Sequence, residues 1–372
     1  LGLALEQSGI LQKLGIRVLG TPVKVIETTE DRELFKKALA EIGTKTARSF
    51  TTGTVDEALA AAKTLGYPVM MRSGYSLGGL GSGRIDTPAQ LKTRVKEVLA
   101  AVQQVLIEEY LVGWKEVEYE VVRDCDGNTI TVCNMENFDP MGVHTGESIV
   151  VAPSQTLTNA EYHMLREVAI RTINHLGIIG ECNIQYALHP ANGEYRVIEV
   201  NARLSRSSAL ASKATGYPLA FVASKLMLGK RLYEIKNSVT GKTSAFYEPA
   251  LDYLAVKMPR WDLQKLKSSD HHIGSEMKSV GEVMALGRSF PEALQKAVRM
   301  LNIGANGVSA HPHDLADPMD EVAHPTDRRL FAVYEALKQG VTTEEIHAAS
   351  HIDRWFLDHI AAIFETERYI QA

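Results

Sequence analysis

The sequence predicts an α/β or α+β protein in which helices cover mixed β-sheets. Helical and strand-like patterns alternate along most of the chain, and threonine caps mark the starts of several helices. Such alternation is typical of layered helix-and-sheet architectures and argues against a helical bundle or a β-sandwich. The 372 residues, 45% of them hydrophobic, provide about two domains' worth of chain and a large core.

Helices are predicted from apolar spacing and from capping residues. Apolar residues recur at helical spacing between residues 34 and 42. Three further helices begin at N-terminal caps, namely Thr54 with Glu57, Thr87 with Pro88, and Thr158 with Glu161. Gly66 ends the first of these helices and Gly177 ends the third. Strands are predicted at 16–20, 68–73, 105–111, 116–123, 129–134, 181–189 and 194–200.

The character of the sequence changes after about residue 305. The stretch 305–326 is irregular and rich in His, Pro and Asp. Helices are then predicted before Gly340, after Thr342 or Thr343, and from Asp353. We place a domain boundary at this change.

Composition excludes several classes of function. The formal net charge of −5 leaves no basic field for nucleic acid or an anionic membrane, so an anionic ligand needs a local cationic cluster. Three cysteines are too few for a disulfide framework, and no stretch has the length of a membrane-spanning helix. We therefore expect a soluble intracellular protein. Because Leu1 lies inside a helical pattern, we also expect the first domain to be incomplete.

The segment 74–83 is the first candidate site, since five of its ten residues are glycine. Glycine allows backbone N–H groups to converge on phosphate oxygens. The spacing matches neither GxGxxG nor a Walker loop, so a phosphate-covering loop and a plain flexible connection are both consistent with it. Arg72, directly upstream, favours the phosphate-covering loop.

Two neighbouring strands carry the second candidate, a metal site. Glu199 and Asn201 project from the same strand face, and Gln185 falls opposite Glu199 if Gly193 is left-handed in the intervening turn. One carboxylate and two amide oxygens suit Mg²⁺. A solvated polar sheet face is the alternative, and a one-residue register slip would separate the group.

Other polar residues are less specific. The small-residue loop from Arg203 through Arg206 to Lys213 leads into a predicted helix, and it is either an anion pocket or a surface loop with a helix cap. We interpret Glu109, Glu116 and Glu118 as exposed strand charges and His144 as a structural or exposed loop histidine, unless further support places them in a site.

Longer strings carry a family resemblance. Residues 136–146 read Glu-Asn-Phe-Asp-Pro-Met-Gly-Val-His-Thr-Gly, and residues 199–216 run from Glu-Val-Asn-Ala-Arg-Leu-Ser-Arg to Ala-Thr-Gly. With 248–253, 277–284 and 352–357, these strings resemble carbamoyl phosphate synthase, specifically the first synthetase half of its large subunit. The Ser-Arg-Ser-Ser-Ala-Leu-Ala-Ser-Lys string at 205–213 resembles that half rather than the second.

The resemblance implies an ATP-grasp fold, in which two α+β subdomains hold the nucleotide between them. It implies a remnant of a preceding βα domain at 1–27, the ATP-grasp domain at 28–305 and the start of a helical oligomerisation domain at 306–372. The implied reaction is phosphorylation of bicarbonate by ATP to carboxyphosphate, which ammonia converts to carbamate. The pathway served, whether arginine, urea or pyrimidine synthesis, stays open.

The same resemblance assigns residues to roles. The phosphate contacts would be Arg32, Arg72, Gly78, Gly79 and His144; the adenine edge would meet the backbone of Glu109 to Leu111; and Glu116 would hold the ribose. The metal ligands would be Gln185, Glu199 and Asn201, with Mg²⁺ or Mn²⁺ as the metal and K⁺ as a further candidate cofactor. The residues bordering bicarbonate and carboxyphosphate would be Asn183, Arg203 and Arg206, with His144 as a further catalytic candidate.

Two alternatives remain at this point. A biotin-dependent carboxylase also activates bicarbonate, but such enzymes use a lysine where Arg72 stands and lack the 204–209 string. A nucleotide-binding, oligomerising fragment without activity of its own is the second alternative. The partners that the resemblance implies are a second synthetase half and a glutaminase subunit or domain, in an oligomer.

Overall fold

The computed structural model describes residues 1–73, 83–265 and 270–372, and these residues form two β-sheets with helices packed against them. All paired strands within the described residues are antiparallel. The fold is therefore α+β, and the predicted mixed sheets are wrong. Short turns after β5 (Lys115–Arg123) and β8 (Gly180–Leu188) join neighbouring strands, and such turns permit only antiparallel pairing.

The smaller sheet has four strands in the order β1-β4-β2-β3. Its strands are β1 (Ser49–Thr52), β2 (Val69–Ser73), β3 (Gly83–Ile85) and β4 (Val105–Glu109). Helices α5 (Val55–Leu65) and α6 (Pro88–Leu99) pack on one face through buried Ala58, Leu91 and Val95. The predicted caps Thr54 and Thr87 accept hydrogen bonds from Glu57 N and Gln90 N, so both helix starts are confirmed.

The larger sheet has seven strands in the order β11-β10-β7-β6-β5-β8-β9. Its remaining strands are β6 (Thr129–Asn137), β7 (Val150–Ala152), β9 (Tyr195–Asn201), β10 (Leu254–Arg260) and β11 (Gly281–Gly287). Helix α7 (Asn159–Leu176) covers one face, and its predicted capping box at Thr158 and Glu161 is confirmed. Helices α8 (Arg206–Thr215) and α9 (Leu219–Met227) cover the opposite face.

The remaining helices lie at the two ends of the chain. They are α1 (Gly2–Gln7), α2 (Ile10–Lys13), α3 (Val23–Glu30), α4 (Arg32–Glu41), α10 (Phe290–Met300), α11 (Pro318–Ala323), α12 (Arg329–Lys338), α13 (Thr343–Ser350) and α14 (Arg354–Gln371), with 3-10 turns at Leu232–Glu234 and Leu263–Lys265. Helices α10 and α12 to α14 share one hydrophobic core with β10. Residues before and after position 305 thus contribute to the same core, while the proposed domain limits stay a prediction.

Two local predictions are wrong. Residues 16–20 are not a strand: Ile16 is 51% exposed and the segment is irregular. A strand needs a partner for its backbone hydrogen bonds, and no described strand pairs with this segment. The predicted loop from Arg203 to Lys213 is mostly helix, because helical structure begins at Arg206, whereas the helix cap expected in this segment is confirmed at Ser205.

Candidate nucleotide and metal site

The predicted pairing of Gln185 with Glu199 is confirmed by the register of β8 and β9. Asn183 lies opposite Asn201 on the same face, so four polar side chains line two adjacent strands. Gly193 has the left-handed φ of +69° that the prediction required. The register nevertheless shifts between Gln185 and Tyr186, and this bulge brings Glu199 opposite Gln185.

The side chains at this point form a chain of contacts. Asn201 Nδ2 donates to Glu199 Oε1 at 2.8 Å, and Arg203 donates to Asn201 Oδ1 at 3.4 Å. Glu199 is exposed and Gln185 is half-buried, so both are accessible to a ligand. One carboxylate and two amides make an oxygen donor set that fits Mg²⁺, while the metal role itself stays a prediction.

A loop formed by residues 139–148 lies beside these strands and carries His144. Thr145 Oγ1 donates to Glu116 Oε1 at 2.5 Å, which joins the loop to β5. Burial raises the pKa of Glu116 to about 7, and the nearby Glu199 carboxylate adds to the effect. A cation or hydroxyl donors placed here would therefore stabilise the ionised form of Glu116.

The geometry of the 139–148 loop brings His144 near Arg206. Gly146 N donates to His144 Nδ1 at 2.9 Å, which turns the ring back over the loop. A Cβ at Gly146 would lie 3.0 Å from His144 Nδ1 and 3.9 Å from an Arg206 guanidinium nitrogen. Desolvation lowers the pKa of His144, so its ring is neutral at pH 7. His144 and Arg206 thus lie close to the same point of the loop, while the roles that the resemblance implies for them stay predictions.

A buried acidic cluster lies under the N-terminus of α8. Asn183 Nδ2 donates to Glu118 Oε2 at 2.9 Å and to Glu120 Oε1 at 3.0 Å, and all three residues are at most 2% exposed. Ser208 Oγ donates to Glu181 Oε1 at 2.9 Å. Burial raises the pKa of Glu118 to about 8, and burial together with Glu120 raises that of Glu181.

This cluster leaves acceptors without donors. Glu118 Oε1, Glu181 Oε2 and Asn183 Oδ1 are buried and have no hydrogen-bond partner within the described part of the chain. Such atoms are costly to bury, so they mark a place where a hydrogen-bonding partner is missing, although the interacting carboxyls of Glu181 and Glu120 can share a proton. The interpretation of Glu109, Glu116 and Glu118 as exposed charges is wrong, because the Glu109 side chain is 8% exposed and the other two are buried.

The predicted phosphate contacts Arg32 and Arg72 meet on the smaller sheet. Arg72 Nε lies 2.7 Å from Glu108 Oε2, and an Arg32 guanidinium nitrogen lies 3.2 Å from Glu108 Oε1. The sequence reasoning missed Glu108, which the pairing of β2 with β4 sets opposite Met70 and so on the same face as Arg72. The predicted contacts Gly78 and Gly79 lie outside the described residues.

Glu109 lies where the chain passes from the smaller to the larger sheet. Its carboxylate accepts from Arg48 Nε at 2.8 Å and from Arg196 Nε at 2.7 Å, which ties β4 to β9. Burial acts to raise the pKa of Glu109, but the hydrogen bonds from the two arginines hold it below its usual value. Leu111, next along this connection, is buried. The adenine role of the 109–111 backbone stays a prediction.

The smaller sheet and helix α4 thus carry the two arginines, the larger sheet carries the proposed oxygen ligands, and Glu109 and Arg196 join the two sheets. This architecture is the ATP-grasp fold.

Within the described residues, no group of three or more His, Cys, Asp or Glu side chains is arranged to hold a metal ion, and no helix is long and apolar enough to span a bilayer. The family described as carbamoyl-phosphate synthase L chain, ATP binding domain, matches residues 31–235, and its large-chain oligomerisation domain matches residues 282–372. The chain belongs to the carbamoyl-phosphate synthase large-chain family.

Curated relatives support this assignment. The arginine-specific large chain of carbamoyl phosphate synthase from Schizosaccharomyces pombe, a mitochondrial protein, is 56% identical over 97% of this chain and 31% of its own length. The ammonia-dependent mitochondrial carbamoyl-phosphate synthase of Homo sapiens is 52% identical over 100% of this chain and 25% of its own length. The multifunctional protein pyr1-3 of Dictyostelium discoideum is 54% identical over 99% of this chain. The chain spans 16% to 33% of the length of such relatives.

Solved structures share the fold at low identity. A biotin carboxylase from Campylobacter jejuni has a TM-score of 0.62 at 16% identity, covering 80% of this chain and 71% of that chain. The biotin carboxylase domain of a Hydrogenobacter thermophilus 2-oxoglutarate carboxylase, in complex with MgADP, ADP and bicarbonate, has a TM-score of 0.61 at 18% identity over 78% and 70% of the two chains. These neighbours show the ATP-grasp fold alone.

Proposed function

We propose that this chain transfers the terminal phosphoryl group of ATP to bicarbonate and so forms carboxyphosphate, the precursor of carbamate and carbamoyl phosphate. The observation that carries the proposal is the β8 and β9 register, which sets Gln185 opposite Glu199 with Asn201 on the same face. The family assignment and the bicarbonate complex of a structural neighbour support the same substrate.

The chain's own residues address the main difficulty of this reaction, which is repulsion between two anions. Arg32 and Arg72 on one side and Arg203 and Arg206 on the other offer cations to the phosphates and to bicarbonate. Bound Mg²⁺ would neutralise phosphate charge and orient the transferred group. His144, neutral at pH 7, offers a ring nitrogen near the same space.

Ammonia as the second substrate is supported by the unsatisfied acceptors under α8. Glu118 Oε1 and Asn183 Oδ1 have no hydrogen-bond partner among the described residues, and ammonia, which both donates and accepts, can bond to a protonated carboxyl as well as to an amide oxygen. Asn183 lies opposite Asn201, and Glu118 lies opposite Gln185, so these atoms are on the same sheet face as the proposed metal ligands. We propose that ammonia reaches carboxyphosphate from this buried side.

The first test is bicarbonate-dependent ATP hydrolysis by the purified chain. ADP release is measured in bicarbonate-depleted buffer and after adding bicarbonate, at saturating Mg²⁺. We expect weak turnover that bicarbonate increases, and we expect Glu199→Ala to abolish it. Glu194→Ala, an exposed carboxylate on the turn before the same strand, is the matched control and should retain the activity. Unchanged turnover in Glu199→Ala would contradict the metal assignment.

A second outcome would identify a binding module. Because the chain spans at most a third of these relatives, MgATP binding without turnover would indicate a part that needs its missing neighbours for catalysis. We propose that those neighbours are a second synthetase half and a glutaminase, in an oligomer.

The proposal also includes Mn²⁺ as the alternative metal and K⁺ as a further ion. It includes a cytosolic or mitochondrial location, and the mitochondrial relatives support the latter.

A further inference from the structure

Lys257 is a buried lysine whose hydrogen bonds all go to the 139–148 loop. It lies in the middle of β10, paired with Val150 of β7 and Met284 of β11, and it is 4% exposed. Its Nζ donates to Ser148 O at 2.8 Å, to Thr145 O at 2.9 Å and to Gly146 O at 3.4 Å. Within the described residues it forms no salt bridge.

A buried ammonium without a salt bridge is expensive, because it has lost water and gained only neutral acceptors. Burial lowers the pKa of Lys257 to about 8, although Glu282, Glu118 and Glu147 act to raise it and Arg206 acts to lower it further. The three loop carbonyls are therefore the groups that make this burial tolerable. Conversely, the ammonium fixes the direction in which those carbonyls point.

The same loop carries the groups that face the nucleotide. Thr145 contributes its carbonyl to Lys257 and its hydroxyl to Glu116, so one residue connects the lysine with the proposed ribose contact. Glu147 N and Ser148 N both donate to His144 O, at 2.7 and 3.2 Å, so the turn that holds His144 is closed at the residues next to Lys257.

The opposite side of the loop is held by a second segment. His144 N donates to Gly274 O at 2.7 Å, and Glu147 accepts from Trp261 Nε1 and Ser279 Oγ, both at 2.6 Å. These bonds fix the outer edge of the turn, whereas Lys257 is the inner support from the sheet. The carbonyls of Thr145 and Gly146 would lose their side-chain donor from the sheet if the ammonium were removed.

We propose that Lys257 is a positioning residue of the nucleotide site: by binding the carbonyls of Thr145, Gly146 and Ser148, it holds Thr145 and His144 where they receive the nucleotide. This inference rests on the proposed function, because the proposed function is what places ATP against His144 and Glu116. Lys257 acts through the loop and has no direct contact with substrate.

The test compares Lys257→Met with the parent chain. Methionine keeps the length and apolar character of the stem and removes all donors. The dissociation constant of MgADP is measured by calorimetry, and KM for ATP and kcat are measured in the bicarbonate-dependent reaction. We expect the dissociation constant and KM to rise by about tenfold, equivalent to about 1.4 kcal/mol, with a smaller change in kcat.

Arg123→Met is the matched control. Arg123 also gives three hydrogen bonds, to Asn174 Oδ1, Asp124 O and Ile178 O, and it lies seven residues from Glu116, about 23 Å along β5. We expect this variant to lower the melting temperature without changing nucleotide affinity more than about twofold. The control separates general destabilisation from loss of positioning.

Each outcome decides the matter. A destabilised Lys257→Met that binds MgADP as tightly as the parent would overturn the inference, since Lys257 would then be only structural. If Lys257→Met does not fold, Lys257→Gln replaces it: the shorter, neutral side chain cannot reach all three carbonyls, so it should also weaken MgADP binding, and unchanged affinity would likewise overturn the inference. A parent chain that binds MgADP but shows no bicarbonate-dependent turnover would contradict the proposed function, while calorimetry would still test Lys257.

Discussion

Replacing Glu118 with glutamine should make the protein less sensitive to alkaline pH. Burial raises the pKa of Glu118 from its usual 4.5 to about 8, and the neighbouring Glu120 adds to the shift. Between these two values the folded chain keeps the proton while the unfolded chain has released it. Unfolding therefore releases a proton and becomes more favourable as the pH rises.

The size of the effect follows from the two pKa values. Raising the pH from 5.5 to 8 lowers the free energy of unfolding by about 3 kcal/mol through Glu118 alone. This value is an upper limit, because it treats Glu118 as a group that titrates independently of its neighbours. Glutamine cannot ionise, and its side-chain oxygen still accepts from Asn183 Nδ2. We expect Glu118→Gln to be close to the parent in stability at pH 5.5 and clearly more stable at pH 8.

The assay is urea denaturation followed by tryptophan fluorescence at both pH values, in EDTA without nucleotide. Glu248→Gln is the control: burial acts to raise the pKa of Glu248, but hydrogen bonds from Arg166 and Thr131 hold it below 4.5. Glu248 is then ionised in both states across this range, so its replacement should destabilise equally at pH 5.5 and pH 8. The quantity that decides is the difference in the free energy of unfolding between Glu118→Gln and the parent. If this difference changed by less than about 1 kcal/mol between pH 5.5 and pH 8, the raised pKa of Glu118 would be refuted.

Three further changes probe the site. Gly146→Ala should raise KM for ATP several-fold at unchanged fold, because the added Cβ would lie 3.0 Å from His144 Nδ1; an unchanged KM would show that the ring is not constrained there. The buried pair of Asp139 and Arg329, 2.6 Å apart, should show a coupling of about 1–3 kcal/mol in a double-mutant cycle by urea denaturation, and additive losses would contradict this. Gln185→Ala should increase the Mg²⁺ concentration needed for half-maximal ATPase activity by at least about tenfold, and an unaltered titration would remove Gln185 from the ligand set.

Local signals in the sequence predicted much of the fold. The Thr158 and Glu161 box, the Thr342 cap and the glycine stop at Gly177 depend on backbone groups within one helical turn, so neighbouring residues suffice to identify them. The strand expected at 16–20 failed for the opposite reason, since its apolar residues would need a partner that local pattern does not specify.

The site residues that sequence reasoning missed depend on tertiary neighbours. Glu108 meets Arg72 from the neighbouring strand and Arg32 from α4, and Lys257 binds loop carbonyls more than a hundred residues away in sequence. An isolated Glu or Lys on a predicted strand carries no sign of such partners. Glu118 was misinterpreted for the same reason, because an alternating strand pattern does not reveal that a helix covers its polar face.

The bulge in β9 explains how one strand carries both proposed metal ligands and the contact between the two sheets. Arg196 lies opposite Ala187, and Glu199 lies opposite Gln185, so two residues separated by an odd number of positions face the same side. Without the extra residue, Gln185 would be opposite Ile198 and Glu199 would point to the other face. Arg196 binds Glu109 from the smaller sheet while Glu199 belongs to the proposed ligand set, so only three residues of backbone separate the contact between the sheets from the proposed metal site.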